Sequence, residues 1–379
     1  MFDGFYAGRR VFVTGHTGFK GSWLLAWLLA LGADVTGYAL DPPTVPSLFV
    51  VAGLDALAAR GHFADLRGDV RDPDALAAAL HGAAPDVVFH LAAQPLVRRS
   101  YEEPRLTVDT NVMGTTNLLE GVRLWPVGTR APCAVVVVTS DKCYENPETG
   151  RAMLEDDALG GWDVYSASKA AAETVCAAYR RSFFSSGDVT GLATVRAGNV
   201  IGGGDWGVDR LVPDCVSALR AHKTVEVRHP DAVRPWQHVL EPLSGYLHLA
   251  ARLAGGVRGA DGRDLAGAWN FGPRGGDAAP VADLVDLVVD RWGSGGWRAS
   301  AEATGVRHEA GLLCLDASKA SMSLGWEPVW NLGRAVDAAV DWYKGWSDGE
   351  SPDRLLARCR ADVAAYCDEA AARSIEWAT

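Results

Sequence analysis

The chain has 379 residues, of which 48% are apolar and 22% charged; this is the balance of a folded globular protein, and the length calls for one large domain or two lobes. With 36 basic against 47 acidic residues, the formal net charge is -11, which argues against nucleic acid as a partner and leaves any small anionic ligand to be held by local amides or a few placed cations. No secretory leader is evident, the most apolar run (Trp23 to Leu31) is too short to cross a bilayer, and seven scattered cysteines form no CxxC pair, so a cytoplasmic chain with reduced thiols and no membrane partner is expected.

Arg10 to Thr14 reads as a short β-branched strand, followed by a glycine-rich turn and an apolar helix from Ser22 to Leu31. Asp34 to Leu40 is a second strand and Gly61 to Leu66 a third. An Asp-Pro pair opens a helix over Asp72 to Leu80. Next come a strand at Asp86 to Leu91, a helix at Thr107 to Arg123, and a very apolar strand at Ala134 to Thr139. A helix at Ser166 to Ser182 and a strand at Thr190 to Arg196 complete this half. Strands apolar on both faces, alternating with helices, predict an α/β fold: a Rossmann-type, doubly wound parallel sheet.

The later chain is less regular, with glycine tracts at Gly202 to Gly204, Gly255 to Gly262 and Gly293 to Gly296. It reads as a smaller mixed α/β lobe over the carboxyl ends of the strands. The expected division is a dinucleotide-binding domain with the catalytic residues over 1–200, a substrate lobe over 201–350 open to interleaving with the first, and a helical tail over 351–379.

Between the first strand and helix, Gly15, Gly18 and Gly21 stand at three-residue spacing. The first allows a tight turn, the second a close approach of backbone to a pyrophosphate, and the third close helix–strand packing. The helix N-terminus adds free amides and a positive dipole end. With Thr17, Phe19 and Lys20 in its remaining positions, the loop resembles the TGxxGFxG motif of the extended short-chain dehydrogenase/reductase superfamily. Asp69-Val70, Leu91-Ala92-Ala93-Gln94 and Asn111-Val112-Met113-Gly114-Thr115 match further motifs of that family in order. The resemblance implies a bound NAD, with Asp69 and Val70 at the adenine, and with Leu91, Ala92, Ala93, Gln94 and Asn111 along the cofactor. The acidic residue that usually holds the ribose falls near Ala39, which leaves Asp41 as the candidate, or as a turn residue before Pro42. No arginine follows directly to favour a 2'-phosphate.

Tyr165 and Lys169 stand four residues apart, on one face of a helix. A free tyrosine titrates near pH ~10, and a neighbouring ammonium favours the phenolate, which can take a hydroxyl proton as hydride leaves. The resemblance makes these the catalytic pair and puts a hydroxyl at Ser140, with Thr139 second. Asp141 and Lys142 follow. In 4,6-dehydratases an Asp stands here, followed by a proton-transfer residue that is often Glu.

By that resemblance Asp141 is the acid at sugar C6. Lys142 is either the C5 base, which requires a lowered pKa, or a charge partner of Asp141 or the substrate phosphates. The strings from Gly15 to Trp23, Tyr38 to Phe49, Ala92 to Tyr101, Thr139 to Asn146, Arg196 to Trp206 and Arg234 to Tyr246 together resemble CDP-glucose 4,6-dehydratases. These oxidise C4, eliminate water across C5 and C6, and return the hydride to C6. A 4-epimerase, a dehydratase for a GDP-, UDP- or dTDP-sugar, and a non-catalytic dinucleotide sensor are the competing expectations.

For the nucleotide sugar, the family pattern points to Gln94, Asn199, Arg210, Arg234, His238, Arg307 and Glu309, with Gly202 to Gly204 allowing close backbone approach. Trp236 either stacks or packs. The histidines lack metal-ligand spacing, so no metal is expected. Relatives pair through two helices, here Thr107 to Arg123 and Ser166 to Ser182, implying a homodimer or homotetramer.

Overall fold

The computed structural model describes residues 1–126, 132–184, 190–256, 264–273, 278–300 and 313–378. Seven parallel strands form the central sheet: β1 (Arg10–Thr14), β2 (Asp34–Ala39), β3 (Ala64–Arg67), β4 (Val87–His90), β5 (Ala134–Val138), β6 (Gly191–Ala197) and β7 (Ala268–Phe271). Their spatial order is β7-β6-β5-β4-β1-β2-β3. The chain runs from β1 to one edge, then crosses to β4 on the other side. This reversal opens a crevice at the carboxyl ends of β1 and β4. Valine-rich β4 and β5 are buried on both faces, as a sheet covered by helices requires.

The sheet is not finished by the first 200 residues. β7 pairs with β6, Ala268 opposite Thr194 and Asn270 opposite Arg196. The chain therefore leaves for the substrate lobe after β6 and returns to close the edge. Within that lobe, Val200–Ile201 pairs with Gln237–His238, and Val225–Val227 with Trp297–Ala299.

The helices that position the site are α1 (Phe19–Ala30), α2 (Pro73–Ala83), α3 (Gly114–Arg123), α4 (Val164–Phe183), α5 (Leu240–Ala254), α6 (Leu332–Ser347) and α7 (Pro352–Ala372). Asp72 and Asp163 cap α2 and α4 by accepting from Ala75 N and Ser166 N. α1 is apolar all round because it is covered on both sides. Its outer face meets the tail helix α7, Trp27 lying edge-on to Tyr366 at 6.0 Å between centroids. The Tyr366 hydroxyl donates to the buried Glu241 of α5 at 2.7 Å. The tail is thus part of the core. No helix of the described residues is long and apolar enough to cross a membrane.

Two expected elements differ. α1 begins at Phe19, three residues before the expected Ser22, because Gly18 is its N-cap. The single helix expected from Thr107 to Arg123 is interrupted by a π-type turn at Asp109–Met113. There the Thr115 and Thr116 hydroxyls donate to the carbonyls of Asn111 and Val112, and Asn111 turns inward. Such turns recur at functional sites.

Candidate active site

Glycines shape the turn from β1 into α1. Gly15 has φ +76°, and a Cβ there would stand 2.7 Å from Ala92 N. A Cβ on Gly21 would stand 2.1 Å from the Gly15 carbonyl oxygen. Only glycine permits either approach. At Gly18 a Cβ would meet nothing nearer than the Gly15 oxygen at 3.4 Å, and no side chain caps the helix. The first-turn amides, which an α-helix leaves unbonded, belong to residues lining a cavity of about 1420 Å³. An uncapped helix end beside a close-approach glycine fits the pyrophosphate of a dinucleotide.

Thr17, Phe19 and Lys20 all line this cavity. Thr17 is tied down by donating to Leu40 O at 2.9 Å. Lys20 goes elsewhere: its Nζ lies 5.6 Å from the Tyr246 ring centroid. Burial lowers its ammonium to about 8, the charges of Arg210 and Lys169 adding to this and Asp141 opposing it.

Farther along, the Thr14 hydroxyl accepts from Leu91 N and Ala92 N, each at 3.1 Å, and bonds His90 Nδ1 at 2.8 Å. His90 Nε2 meets Thr115 Oγ1 at 3.2 Å, and burial pushes the ring down to about 3, so it stays neutral. This fixes Leu91, Ala92 and Ala93 along the cavity wall. Asp69 pairs with Arg71, whose hydrogen bond chiefly lowers its carboxyl. The Val70 carbonyl accepts from Asn117 at 2.9 Å. Asp41 sits at the rim with its side chain 91% exposed, 3.8 Å from Arg67.

Of Gln94 and Asn111, only Asn111 needs correction. The Gln94 amide donates to Leu96 O and Thr107 Oγ1 and accepts from Leu96 N at 2.7 Å. These bonds shape its own loop, and Gln94 also lines the cavity. Asn111 accepts from Gln94 N at 2.8 Å and donates to Ser168 Oγ at 2.9 Å. It ties that loop to α4 instead of reaching the cavity.

The reacting centre forms where β5 ends against α4. Tyr165, Ser140 and Asp141 are all buried there. Burial pushes the Tyr165 phenol up to about 12, with the Ser140 hydroxyl pulling the other way. Ser140 Oγ donates to Asp141 Oδ1 at 2.9 Å and accepts from Lys142 N at 3.2 Å. Lys169 donates to Val138 O at 3.2 Å; burial lowers it to about 8 against the opposing charge of Glu173.

Thr139, the second hydroxyl candidate, faces away and donates to Glu173 Oε1 at 2.5 Å. Both residues border the cavity, but the Thr139 hydroxyl is taken up by Glu173. Lys142 Nζ stands 3.5 Å from Asp141 Oδ1 with its side chain 32% exposed. This is the geometry of a charge partner.

A buried network beneath this centre was missed in the sequence. Arg196 bonds both oxygens of Glu173, at 2.8 and 2.9 Å, and donates to the Tyr144 hydroxyl at 2.6 Å. Tyr144 donates to Asn270 Oδ1 at 2.7 Å, and Asn270 donates to the carbonyls of Met153 and Asp316. Burial alone would raise Glu173's carboxyl, but Arg196 holds it below its ordinary range. The available signal was spacing: Tyr165, Lys169 and Glu173 follow each other at four residues, one helical face.

At the far end, Asn199, Arg210 and Arg234 line the cavity as expected substrate contacts would. Arg98 and Arg228, not singled out in the sequence, also line it and share Asp209 Oδ1 at 3.2 and 3.0 Å. His238 is corrected: it is fully buried between Trp23 and Trp330, accepts from Leu240 N, and burial lowers it to about 3. Its neighbours are core aromatics.

The run Gly202 to Gly204 also serves packing. A Cβ on Gly203 would stand 2.2 Å from Trp342, and one on Gly204 2.6 Å from Leu48. Trp236 is buried. Arg307 and Glu309 lie outside the described residues. Among the described residues no cluster of three or more His, Cys, Asp or Glu could hold a metal.

Residues 12–254 match the family model described as GDP-mannose 4,6 dehydratase. A curated CDP-glucose 4,6-dehydratase of Salmonella typhimurium is 50% identical over 361 residues, covering 94% of this chain and 96% of its own length. A dTDP-glucose 4,6-dehydratase of Streptomyces griseus is 30% identical, covering 88% and 94%. Among solved structures, UDP-glucuronic acid 4-epimerase from Bacillus cereus, in complex with UDP-glucuronic acid and NAD, superposes with TM-score 0.72 at 21% identity over 89% of this chain and 99% of its own. The dTDP-glucose 4,6-dehydratase of Bacillus anthracis in complex with NAD gives 0.70 at 20% identity, covering 90% and 98%. At such identity these two structures speak to the fold.

Proposed function

The chain belongs to the nucleotide-sugar 4,6-dehydratase family of extended short-chain dehydrogenases/reductases, and on that premise we propose that it is an NAD-dependent lyase converting CDP-glucose to CDP-4-keto-6-deoxyglucose. When bound, NAD supplies a hydride acceptor that takes hydride from sugar C4 and returns it to C6. Gly15, Gly18, Gly21 and the amides of α1 hold its pyrophosphate, with Asp69, Val70 and the Leu91–Ala93 wall along it and Asp41 at the ribose.

Tyr165, favoured as phenolate by the Lys169 ammonium, takes the C4 hydroxyl proton. Ser140 hydrogen-bonds the reacting C4 oxygen. The ketone at C4 acidifies the C5 proton, and Asp141 delivers a proton to the departing C6 hydroxyl. Lys142 stands beside Asp141 as its charge partner. Lys20, with its lowered affinity for a proton, is the better-suited amine for C5. Asn199, Arg210 and Arg234 hold the nucleotide end, the arginines by forked hydrogen bonds to phosphate.

The observation that carries this reading is the buried carboxyl of Asp141, hydrogen-bonded to Ser140 beside Tyr165. A 4-epimerase needs the tyrosine, lysine and serine but has no use for an acid at C6. Incubation of the protein with CDP-glucose and NAD should yield a sugar lighter by one water, with a 4-keto chromophore in alkali. Recovery of an intact hexose inverted at C4 would replace dehydratase by epimerase. Turnover of GDP-, UDP- or dTDP-glucose in preference to CDP-glucose would reassign the base.

We further place the enzyme in the cytoplasm as a homodimer or homotetramer. Exposed Val108 and Met113 on one helical segment and Phe183 on α4 supply apolar surface for such pairing; sedimentation equilibrium tests it.

A further inference from the structure

We propose that the buried Glu173–Arg196 pair is a clamp that positions the acid Asp141, gripping the chain at Thr139 before it and at Tyr144 after it. This rests on the dehydratase reading above and adds to it the residues that aim the proton at C6.

Asp141 is poorly fixed by its own contacts. Among the described residues its carboxylate is bonded to chain neighbours alone: Oδ1 accepts from Ser140 Oγ at 2.9 Å and faces Lys142 Nζ at 3.5 Å. Oδ2 lies against Gly198, 3.3 Å from where a Cβ would stand. The backbone must therefore set its place. That backbone is a single 3₁₀ turn, Asp141–Cys143, closed by Cys143 N donating to Ser140 O at 3.3 Å. One such turn has weak hydrogen-bond geometry, and it stays where its ends are held.

Both ends are held by the same pair. Before the turn, Thr139 N donates to Val195 O of β6 at 2.9 Å, and its hydroxyl donates to Glu173 Oε1 at 2.5 Å. After the turn, the Tyr144 hydroxyl accepts from Arg196 Nη1 at 2.6 Å and donates to Asn270 Oδ1 at 2.7 Å. The Arg196 guanidinium also lies over the Tyr144 ring, 4.7 Å from its centroid. Arg196 Nε and Nη2 close the circuit on the two oxygens of Glu173 at 2.8 and 2.9 Å, a forked pairing that fixes direction as well as distance.

The clamp also takes in the outer strand. Arg196 Nη1 donates to the Glu155 carbonyl at 3.0 Å, and Glu155 Oε1 accepts from Asn270 N at 2.9 Å. Tyr165 and Lys169 sit on α4 itself, a regular helix that places them without Tyr144. Ser140 adjoins Thr139, which β6 holds through the main chain. Tyr144 thus bears first on Asp141, and on the step that needs it. In elimination a base takes the C5 proton and its bonding pair forms the C5–C6 double bond. The C6–O bond breaks, and the departing hydroxide takes the Asp141 proton and leaves as water.

Tyr144→Phe keeps the ring and removes only the hydroxyl that joins Arg196 to Asn270. Single turnovers of wild type, Tyr144→Phe, Asp141→Asn and the double variant are followed with CDP-glucose and with CDP-6-deoxy-6-fluoroglucose, whose fluoride departs without a proton. Nicotinamide absorbance reads oxidation at C4, and release of dehydrated product or fluoride reads elimination.

Tyr144→Phe should slow elimination from CDP-glucose by roughly 10–100-fold, the effect of an acid displaced by about 1 Å or less. It should leave oxidation near the wild-type rate and recover most of its loss with the fluoro sugar. Added to Asp141→Asn it should cost nothing further, since an acid already absent cannot be misplaced. Thr139→Val should show the same signature from the other end and Thr139→Ser should restore the rate; this pair carries the test if Tyr144→Phe does not fold. Equal slowing with both leaving groups, equal slowing of oxidation, or full additivity with Asp141→Asn would reduce the network to a support for the fold and overturn the clamp. A wild-type enzyme that never releases water from CDP-glucose would instead sink the dehydratase reading.

Discussion

The two ends of the cavity are built by different means. At the glycine loop the work is done by backbone: three glycines, a helix end and a threonine that gathers two amides. At the end of β5 it is done by side chains, and these rest on a buried ion pair, Glu173–Arg196, that draws in β6, β7 and the loop around Met153. The first end depends on the absence of atoms, the second on the presence of charge. Their sensitivities to mutation should differ accordingly.

The largest effect is expected at the charged end. Arg196→Met leaves Glu173 buried with only Thr139 and Thr194 as partners, and breaking a buried pair costs about 3–5 kcal/mol. Urea unfolding should show a loss of that order. A loss below 1 kcal/mol would mean the pair does not support the site. At the glycine end, Gly21→Ala forces a Cβ to within 2.1 Å of a carbonyl oxygen and should cost about 1–3 kcal/mol. Gly18→Ala, with its nearest contact at 3.4 Å, should leave stability unchanged and weaken only NAD binding, measured by fluorescence titration. Equal stability losses in both variants would break the contrast.

A pH profile sharpens the comparison further. On the proposed mechanism Lys169 acts as an ammonium beside Tyr165, and burial lowers it to about 8. The ammonium is present below that value and lost above it, so kcat should fall as pH rises through about 8. Glu173 opposes this lowering. Glu173→Gln should therefore move the alkaline limb to lower pH, a shift that a purely structural role for Glu173 would not produce.

The same division explains what could be read from the sequence. The parallel sheet, the glycine loop, and the placing of Tyr165, Lys169, Ser140 and Asp141 at one strand end follow from short spacings, because a turn or helix face is decided within a few residues. Ser140 was preferred to Thr139 by resemblance alone, since nothing local says which face of the strand meets the cavity; Glu173, placed by the packing of α4 on β5, engages the Thr139 hydroxyl. His238 was read as a substrate contact, and the packing of Trp23 and Trp330 around it makes it core, while Gly203 and Gly204 also pack against Trp342 and Leu48. The Asn270 link depended on a strand that returns from the substrate lobe. In each case the missing information was a partner distant in sequence.

The smallest expected effect lies at the rim, where neither backbone crowding nor buried charge operates. Asp41 is almost fully exposed, and its neighbour Arg67 is already engaged by Asp65 at 2.8 Å and by the Leu40 carbonyl at 3.1 Å. An exposed pair of this kind contributes about 0–1 kcal/mol, so Asp41→Ala should leave the unfolding midpoint nearly unmoved. Its consequence should fall on the cofactor instead. Removing the carboxylate deletes an acceptor for the ribose hydroxyls and leaves the Arg67 guanidinium as the nearest charge to a 2'-phosphate. The preference for NAD over NADP, measured as a ratio of dissociation constants, should narrow by roughly fivefold, the worth of one exposed interaction. An unchanged ratio would make Asp41 a turn residue before Pro42, and the ribose would then be held by the backbone at the end of β2, extending the glycine loop's mode of construction to the whole cofactor end.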